Sequence, residues 1–525
     1  MTNKKYPIGI QTFSEIILGG YVYVDKTAYV YRLAQEGKYF FLGRPRRFGK
    51  SLLTSTMEAY FTGKKDLFQG LALSSLEKEW HSYPVLHIDL NAAEYSSVSA
   101  LQEKIDSILS AYEQEYDLQR KHKDVGVRFE YLIKQISQLT GKQVVVLIDE
   151  YDKPLLESIG NTVLQEQYRI MLQGFYGALK SCDPQIRFAF LTGITRFGKL
   201  SVFSGLNNLK DISMSDDFSA ICGITEEELK MSFDSDIQNL ANHSDETFES
   251  VITRLRDQYD GYRFSRRSQS VFNPFSLFNN FYEKDFRNYW YATGTPTFLI
   301  QLLQQEQYDL SLLPEHVMAT EERLGNMGMG TQENVIAALY QSGYLTLKEY
   351  DAEARMYRLG FPNKEVKDGF LNALLPSYSG ISDAKVDTVM FELRRLLDTG
   401  KIDEAMALLK SVFASVPFES NRSIELHYRN MVFLLFTLLG ARPLAEHPVS
   451  SGRIDLLLER AKYVYIFEFK LNQTAKAAIA QIESKHYTDA YSKDKRDVII
   501  VGANFSDATK NLQEWQYHFV NNNNQ

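Results

Sequence analysis

Gly49-Lys50-Ser51 is a triplet whose residue types and order suit a phosphate chain. Gly49 lets the backbone approach an anion, Lys50 reaches the β- and γ-phosphates, and the Ser51 hydroxyl can ligate Mg²⁺. Arg46, Arg47 and Phe48 before the triplet and Leu52 after it complete the candidate phosphate-binding stretch. Asp149-Glu150 is a second chemical pair: Asp149 would hold the metal ion directly or through water, and Glu150 would polarise an attacking water. Thr192 is a candidate for touching the γ-phosphate or its water, with Thr195 second. Arg196 would add positive charge to a transition state, from within the chain or across a subunit interface. Asp455, Glu468 and Lys470 form a further set, two carboxylates and an amine with the make-up of a metal-assisted hydrolytic site.

These side chains meet only if the chain folds to bring them together. Tyr39 to Leu42 is a short apolar run that reads as a buried strand, and Ser51 to Phe61 reads as a helix. The triplet then lies where backbone N–H groups and the helix dipole face an anion. The usual spacing asks for a glycine five positions before Gly49; Arg44 stands there, with Gly43 one residue earlier. A basic strand-to-helix turn without a ligand is the alternative reading. Val85 to Leu90 is a second candidate strand, followed by helices over Ala100 to Arg120 and Val127 to Leu139. Val144 to Ile148 is a continuous β-branched and aliphatic run, the pattern of a strand buried on both faces. Its acids then sit at the carboxyl edge of the sheet, where open α/β sheets bind ligands. Ile186 to Leu191 reads the same way and ends at Thr192. This alternation predicts an α/β unit with a parallel sheet. Tyr21 to Thr27 reads as a strand and turn able to close over an adenine, or equally as an edge strand leading into a packing helix.

In the C-terminal region, Ser451 to Glu459 and Tyr463 to Lys470 read as an antiparallel hairpin turning at Ala461-Lys462. Counting outward from Arg460 and Tyr463 puts Asp455 opposite Glu468, with Cβ atoms about 4.5–5.5 Å apart. Glu468 and Lys470, two apart, share a face. Adjacent carboxylates repel unless a cation lies between them, and Mg²⁺ prefers oxygen ligands. A surface salt-bridge cluster is the competing reading, but Glu468 stands inside an aromatic and aliphatic strand, where an unpaired charge is costly.

Between these regions, Glu226 to Phe233 and Asp245 to Tyr259 read as helices. Asn334 to Ser342 followed by a hairpin, Tyr344 to Glu349 and Met356 to Leu359, suggests a winged helix that packs rather than binds DNA. The 525 residues exceed one core and fit about three domains. The 44% apolar and 24% charged fractions are those of an ordinary globular chain. A net charge of −8 argues against non-specific coating of nucleic acid but leaves room for a local basic groove. Cys182 and Cys222 alone give no disulfide framework and no cysteine-based zinc site. With no signal peptide and no long apolar run, a cytoplasmic protein without membrane contact is expected.

The order strand-loop-helix, acid-tipped strand, polar-tipped strand resembles the ASCE division of P-loop ATPases. Arg-Pro-Arg-Arg-Phe-Gly-Lys-Ser, with Tyr-Val-Asp-Lys-Thr before it and Ile-Asp-Glu-Tyr-Asp after it, resembles the AAA-ATPase-like family of bacteria and archaea, as does Ser204-Gly205-Leu206-Asn207-Asn208-Leu209. The likeness covers residues 5 to 215 and implies ATP and Mg²⁺ binding and homo-oligomer formation. It also implies a helical lid, in which Arg263 would approach the γ-phosphate or serve structure alone and Gly294-Thr295-Pro296 would form a lid turn. The Asp…Glu-x-Lys pattern resembles the PD-(D/E)xK nuclease superfamily over residues 385 to 505. In that resemblance Asp455, Glu468 and Lys470 match metal-binding and catalytic positions and Glu425 an auxiliary acid. Gln481 and Tyr487 match a supporting pair on the following helix.

The expected layout is therefore an AAA-ATPase-like P-loop domain over 1–215, a helical lid and winged helix over 216–375, and an α/β restriction-endonuclease-like domain over 376–525. The expected function is an ATPase joined to a Mg²⁺-dependent nuclease with nucleic acid, DNA favoured, as partner. The competing reading is a nucleotide-dependent switch or DNA-binding scaffold whose nuclease-like domain does not cut.

Overall fold

The computed structural model describes residues 5–91, 93–196, 202–203, 206, 208–293, 297–313, 317–325, 332–415, 424–443 and 454–520. Two compact units emerge. Met1–Leu302 with Val317–Lys367 form the first, and Leu303–His316 with Asp368–Gln525 the second.

The first unit is built on five parallel strands: β1 (Tyr39–Gly43), β2 (Val85–Asp89), β3 (Val144–Asp149), β4 (Ile186–Gly193) and β5 (Lys210–Asp211). Their order is β2-β3-β4-β1-β5. Every residue of β3 is buried, as expected for a parallel sheet covered on both faces. Because β4 lies between β1 and β3, the loop after β1 and the acids ending β3 emerge at one carboxyl edge. The helices Val98–Glu115, Val125–Thr140 and Thr162–Ser181 start at Ser97, Asp124 and Asn161, whose side chains each accept a backbone N–H from the first turn.

The stretch Tyr21 to Thr27 is not a strand. Tyr21 makes one isolated bridge, to Lys5. Asp25 then accepts the Thr27 N–H at 2.8 Å and the Ala72 N–H at 2.7 Å, which fixes the start of the helix Thr27–Glu36. Val22 and Val24 pack on an apolar cluster centred on Leu229, Phe233, Leu255 and Phe281. That cluster joins the helices Glu226–Ser244, Phe248–Tyr259 and Pro274–Glu283. The first of these runs on past the expected end at Phe233, which is a non-helical kink (φ −128°) rather than a terminus. Asp245 is a left-handed cap, and the next helix begins instead after Thr247.

A second, small sheet follows in the order β6-β8-β7, from β6 (Val317–Ala319), β7 (Thr346–Asp351) and β8 (Met356–Gly360). With the helices Glu321–Leu324 and Gln332–Gln341 it has the winged-helix make-up. Arg263 is bound to its hairpin: the backbone N–H donates to Thr346 Oγ1 at 2.7 Å and the guanidinium to the Lys348 carbonyl at 3.3 Å. Gly294-Thr295-Pro296 lies outside the described residues, as does part of Ser204 to Leu209.

In the second unit, β9 (Arg442–Pro443), β10 (Ile454–Glu459), β11 (Tyr463–Leu471), β12 (Asp497–Ser506) and β13 (Asn511–Val520) form a sheet in the order β13-β12-β11-β10-β9. Only β11 and β12 pair in parallel, and the helix Ala475–Ser484 crosses over between them. That helix sits close: a methyl at Gly502 of β12 would come within 2.5 Å of the Ala475 carbonyl. Among the described residues no helix is long and apolar enough to cross a membrane.

Candidate functional site

The loop Arg44–Gly49 leaves β1 and enters the helix Lys50–Phe61 through Gly49 at φ +89°, a left-handed cap that glycine adopts without strain. A cavity of about 370 Å³ opens there, lined by Arg46, Arg47, Gly49, Lys50, Ser51 and Leu52 of the loop and by Glu150 and Lys153 from beyond β3. The Lys50 ammonium lies 3.6 Å from the Glu150 carboxylate and donates to the Pro45 carbonyl at 3.3 Å. The Ser51 side chain faces the Asp149 carboxyl and favours its charged form. Burial first, and the charge of Glu150 second, hold the Asp149 carboxyl above its ordinary range, while Ser51 and Lys50 pull it back. A serine oxygen and a buried carboxylate side by side, with a lysine near, are a donor set that fits Mg²⁺ beside a phosphate.

The other cavity wall was not legible in the sequence. It comes from Pro7, Ile8, Gly9, Ile10 and Gln11 and from Pro274, Phe275 and Phe278. Pro7-Ile8-Gly9 is a turn-forming stretch, but nothing in the local sequence ties it to Phe275. Arg47, at φ +65°, holds its guanidinium 4.9 Å from the Phe275 ring. Lys153 opens the short helix Lys153–Glu157 and pairs with Glu157 at 3.0 Å.

The remaining candidates on this edge do not line the cavity. Phe48 is buried against Tyr262 and Phe264 and anchors the loop. Thr192 spends its hydroxyl on the Leu42 carbonyl at 2.9 Å, tying β4 to β1. Thr195 is held by Asp152, whose buried carboxylate accepts its N–H and its hydroxyl, both at 2.6 Å. Burial, then the nearby Glu150 charge, push the Asp152 carboxyl up to about 6. Arg196 pairs with Asp211 at 2.8 Å, and its N–H donates to Gln341 at 2.6 Å.

Arg44, standing where a glycine is usual, is fully buried and turned away from the cavity. Its guanidinium donates to the carbonyls of Gly43, Ser213, Phe218 and Ser219 and stacks 4.0 Å over Phe264. Arg44→Gly, which restores the common spacing, should therefore destabilise the protein by about 2–4 kcal/mol, because several buried carbonyls lose their donor. Urea titration of both proteins measures this, and equal midpoints would show Arg44 to be dispensable.

In the second unit the backbone register pairs Asp455 directly with Glu468, the register obtained by counting from the turn. Asp455 is described by its backbone alone; its side chain lies outside the described residues. Glu468 is fully buried and accepts from the Lys470 ammonium at 2.5 Å, and Lys470 also donates to Gln481. The second Glu468 oxygen, Oε2, and the Gln481 amide nitrogen are buried and have no hydrogen-bond partner among the described residues. An orphaned carboxylate oxygen opposite a second acid fits a hard cation. Glu425 and Lys470 border one small cavity with Tyr428 and Arg429, and Arg429 bridges Glu425 at 2.9 Å and Asp309 at 2.7 Å. Tyr487 is not on the helix that carries Gln481. That helix ends at Ser484, and Tyr487 packs instead on the apolar cluster of Ile466, Ile479 and Ile500.

A family model described as "Predicted AAA-ATPase" matches residues 7–203, and one described as "PD-(D/E)XK nuclease superfamily" matches residues 423–515. A protein of Azotobacter chroococcum mcd 1, titled "Uncharacterized protein in vnfD 5'region", is 36% identical over 517 residues, covering 96% of this chain and 97% of its own length. With both matches falling on the two constellations described, the chain belongs to the AAA-ATPase-like family and carries a C-terminal domain of the PD-(D/E)XK nuclease superfamily.

Proposed function

We propose that the protein is a cytoplasmic ATPase that also carries a metal-dependent phosphodiesterase acting on nucleic acid, with DNA as the favoured substrate. The observation that carries this reading is the pair of matched constellations. In the first, Lys50 and Glu150 meet at 3.6 Å on one cavity. In the second, Glu468 and Lys470 meet at 2.5 Å opposite Asp455.

In the first site Arg46, Arg47, Lys50 and Lys153 line the cavity together with Glu150. That excess of positive charge suits a triphosphate. Ile8, Ile10, Phe275 and Phe278 offer a flat apolar wall for the base. Ser51 and Asp149 would hold Mg²⁺, which supplies positive charge to offset that of the terminal phosphates. Glu150 then holds and polarises the attacking water. In the second site Asp455, Glu468 and Glu425 are the acids able to hold the metal, whose role is to polarise the phosphodiester. Lys470, fixed by Glu468 and Gln481, orients the water that attacks it.

The test is cleavage of mixed DNA and RNA substrates with Mg²⁺ or Mn²⁺, with and without ATP, beside Asp455→Ala. Metal-dependent cutting that disappears in the variant supports the nuclease, and its ATP response reports coupling to the nucleotide site. No cutting by folded protein that binds ATP turns the reading to a nucleotide-dependent switch.

A further inference from the structure

We propose that Trp290 and Glu365 are positioning residues of the nucleotide site, pinning the Arg46 peptide so that the loop presents N–H groups and arginines, not a carbonyl, to the phosphates. The inference rests on the nucleotide reading above and adds to it two residues far from the loop in sequence.

The Arg46 carbonyl accepts the Trp290 indole N–H at 3.0 Å. Trp290 is buried and lies against Tyr344, with ring centroids 5.1 Å apart. Its backbone N–H donates to Glu365 Oε1 at 2.7 Å, and Glu365 Oε2 accepts from the Ser276 hydroxyl at 2.8 Å. Glu365 is fully buried, and burial pushes its carboxyl up to about 8. Ser276 belongs to the first turn of the helix Pro274–Glu283, the turn whose Pro274 and Phe275 wall the cavity. One chain of hydrogen bonds thus runs from the arginine-bearing loop to the opposite wall.

A trans peptide points its C=O and the following N–H in opposite directions. With the Arg46 carbonyl held by Trp290, the Arg47 N–H faces the other way. Arg47 is at φ +65°, and a left-handed residue within a turn is the element from which anion-binding backbone nests are built. Both arginines are exposed and line the cavity. If the indole N–H is removed, the peptide is free to turn over, and a carbonyl then faces the phosphates and repels them. The loop does not set this orientation alone: Pro45 lies against Gly343 and Phe48 against Tyr262, both from the same later part of the unit.

The experiment is calorimetric binding of ATP, ADP and adenosine to the full-length wild type and to Trp290→Phe, Glu365→Gln and Glu365→Leu. Trp290→Phe should weaken ATP and ADP about tenfold, with adenosine affinity and stoichiometry unchanged. Glu365→Gln should bind as wild type, because its oxygen still accepts from Trp290 and its amide can donate to Ser276. Glu365→Leu should follow Trp290→Phe. Wild-type ATP affinity in Trp290→Phe overturns the proposal. So does an equal loss for adenosine or a reduced binding-competent fraction, either of which marks a purely structural role. A wild type that binds none of the three removes the nucleotide reading and this one together. Should Trp290→Phe fold poorly, the emission of Trp290 in a Trp80→Phe/Trp515→Phe background decides. A shift on saturation with ATP is expected, and no shift overturns the proposal.

Discussion

Exchange of Glu150 for Gln should leave ATP bound and slow its hydrolysis by about 10²- to 10⁴-fold, the usual contribution of a positioned general base. Glu150 lines the cavity on a left-handed turn (φ +52°), beside Lys50. Glutamine has the same size and keeps a hydrogen-bonding oxygen toward Lys50 but cannot accept a proton from water. Binding should not weaken. One negative charge leaves a cavity lined by Arg46, Arg47, Lys50 and Lys153, and Asp149 and Asp152, both held high partly by the Glu150 charge, relax downward. Single-turnover hydrolysis measured alongside ATP affinity separates the two effects. Unchanged hydrolysis would move the base to another residue.

At the second site the choice of substitution decides what is learned. Lys470→Ala leaves the fully buried Glu468 without its cation, and stranding one member of a buried pair costs about 3–5 kcal/mol. Loss of cutting in that variant would then be confounded by loss of fold. Glu468→Gln keeps an acceptor for Lys470 and removes the charge a metal ion needs. It should abolish detectable cleavage, a fall of at least about 10²-fold, with a much smaller drop in melting temperature than Lys470→Ala. Cleavage assays and thermal melts on both variants test this. Retained cutting in Glu468→Gln would remove it from the metal site.

The parts of both sites that were legible in the sequence are those set by short-range rules. Strand, loop and helix around Lys50 follow from periodicity and a glycine. The pairing of Asp455 with Glu468 follows from counting residues out from a two-residue turn, because antiparallel register leaves no freedom once the turn is fixed. What escaped depends on distant partners. Arg44 looked like a defect in a phosphate loop, because its carbonyl acceptors lie at Ser213, Phe218 and Ser219. Thr192 and Arg196 stood at the right strand end, but partners elsewhere (the Leu42 carbonyl, Asp211 and Gln341) hold them. The Pro7 to Gln11 wall has no periodicity and meets Phe275 only through tertiary folding. Tyr487 failed for a local reason: six residues on from Gln481 assumes that the helix continues, and it ends at Ser484.

The second unit is not a continuous piece of chain. Leu303–His316 belongs to it but is made before Val317–Lys367, which returns to the first unit. The excursion is held by specific bonds: Asp309 pairs with Arg429 at 2.7 Å, and Asn430 joins the Tyr308 carbonyl and the Leu310 N–H at 2.9 and 2.8 Å. On the ribosome, the early segment must therefore wait for the helix Ile424–Leu438 to be synthesised before it can dock. A fragment begun at Asp368 would lack the carboxylate that steadies Arg429 beside Glu425, and one ended at Leu302 would lack the β7–β8 hairpin that holds Arg263. No single cut yields both units whole, so simple proteolysis cannot part them without damaging one.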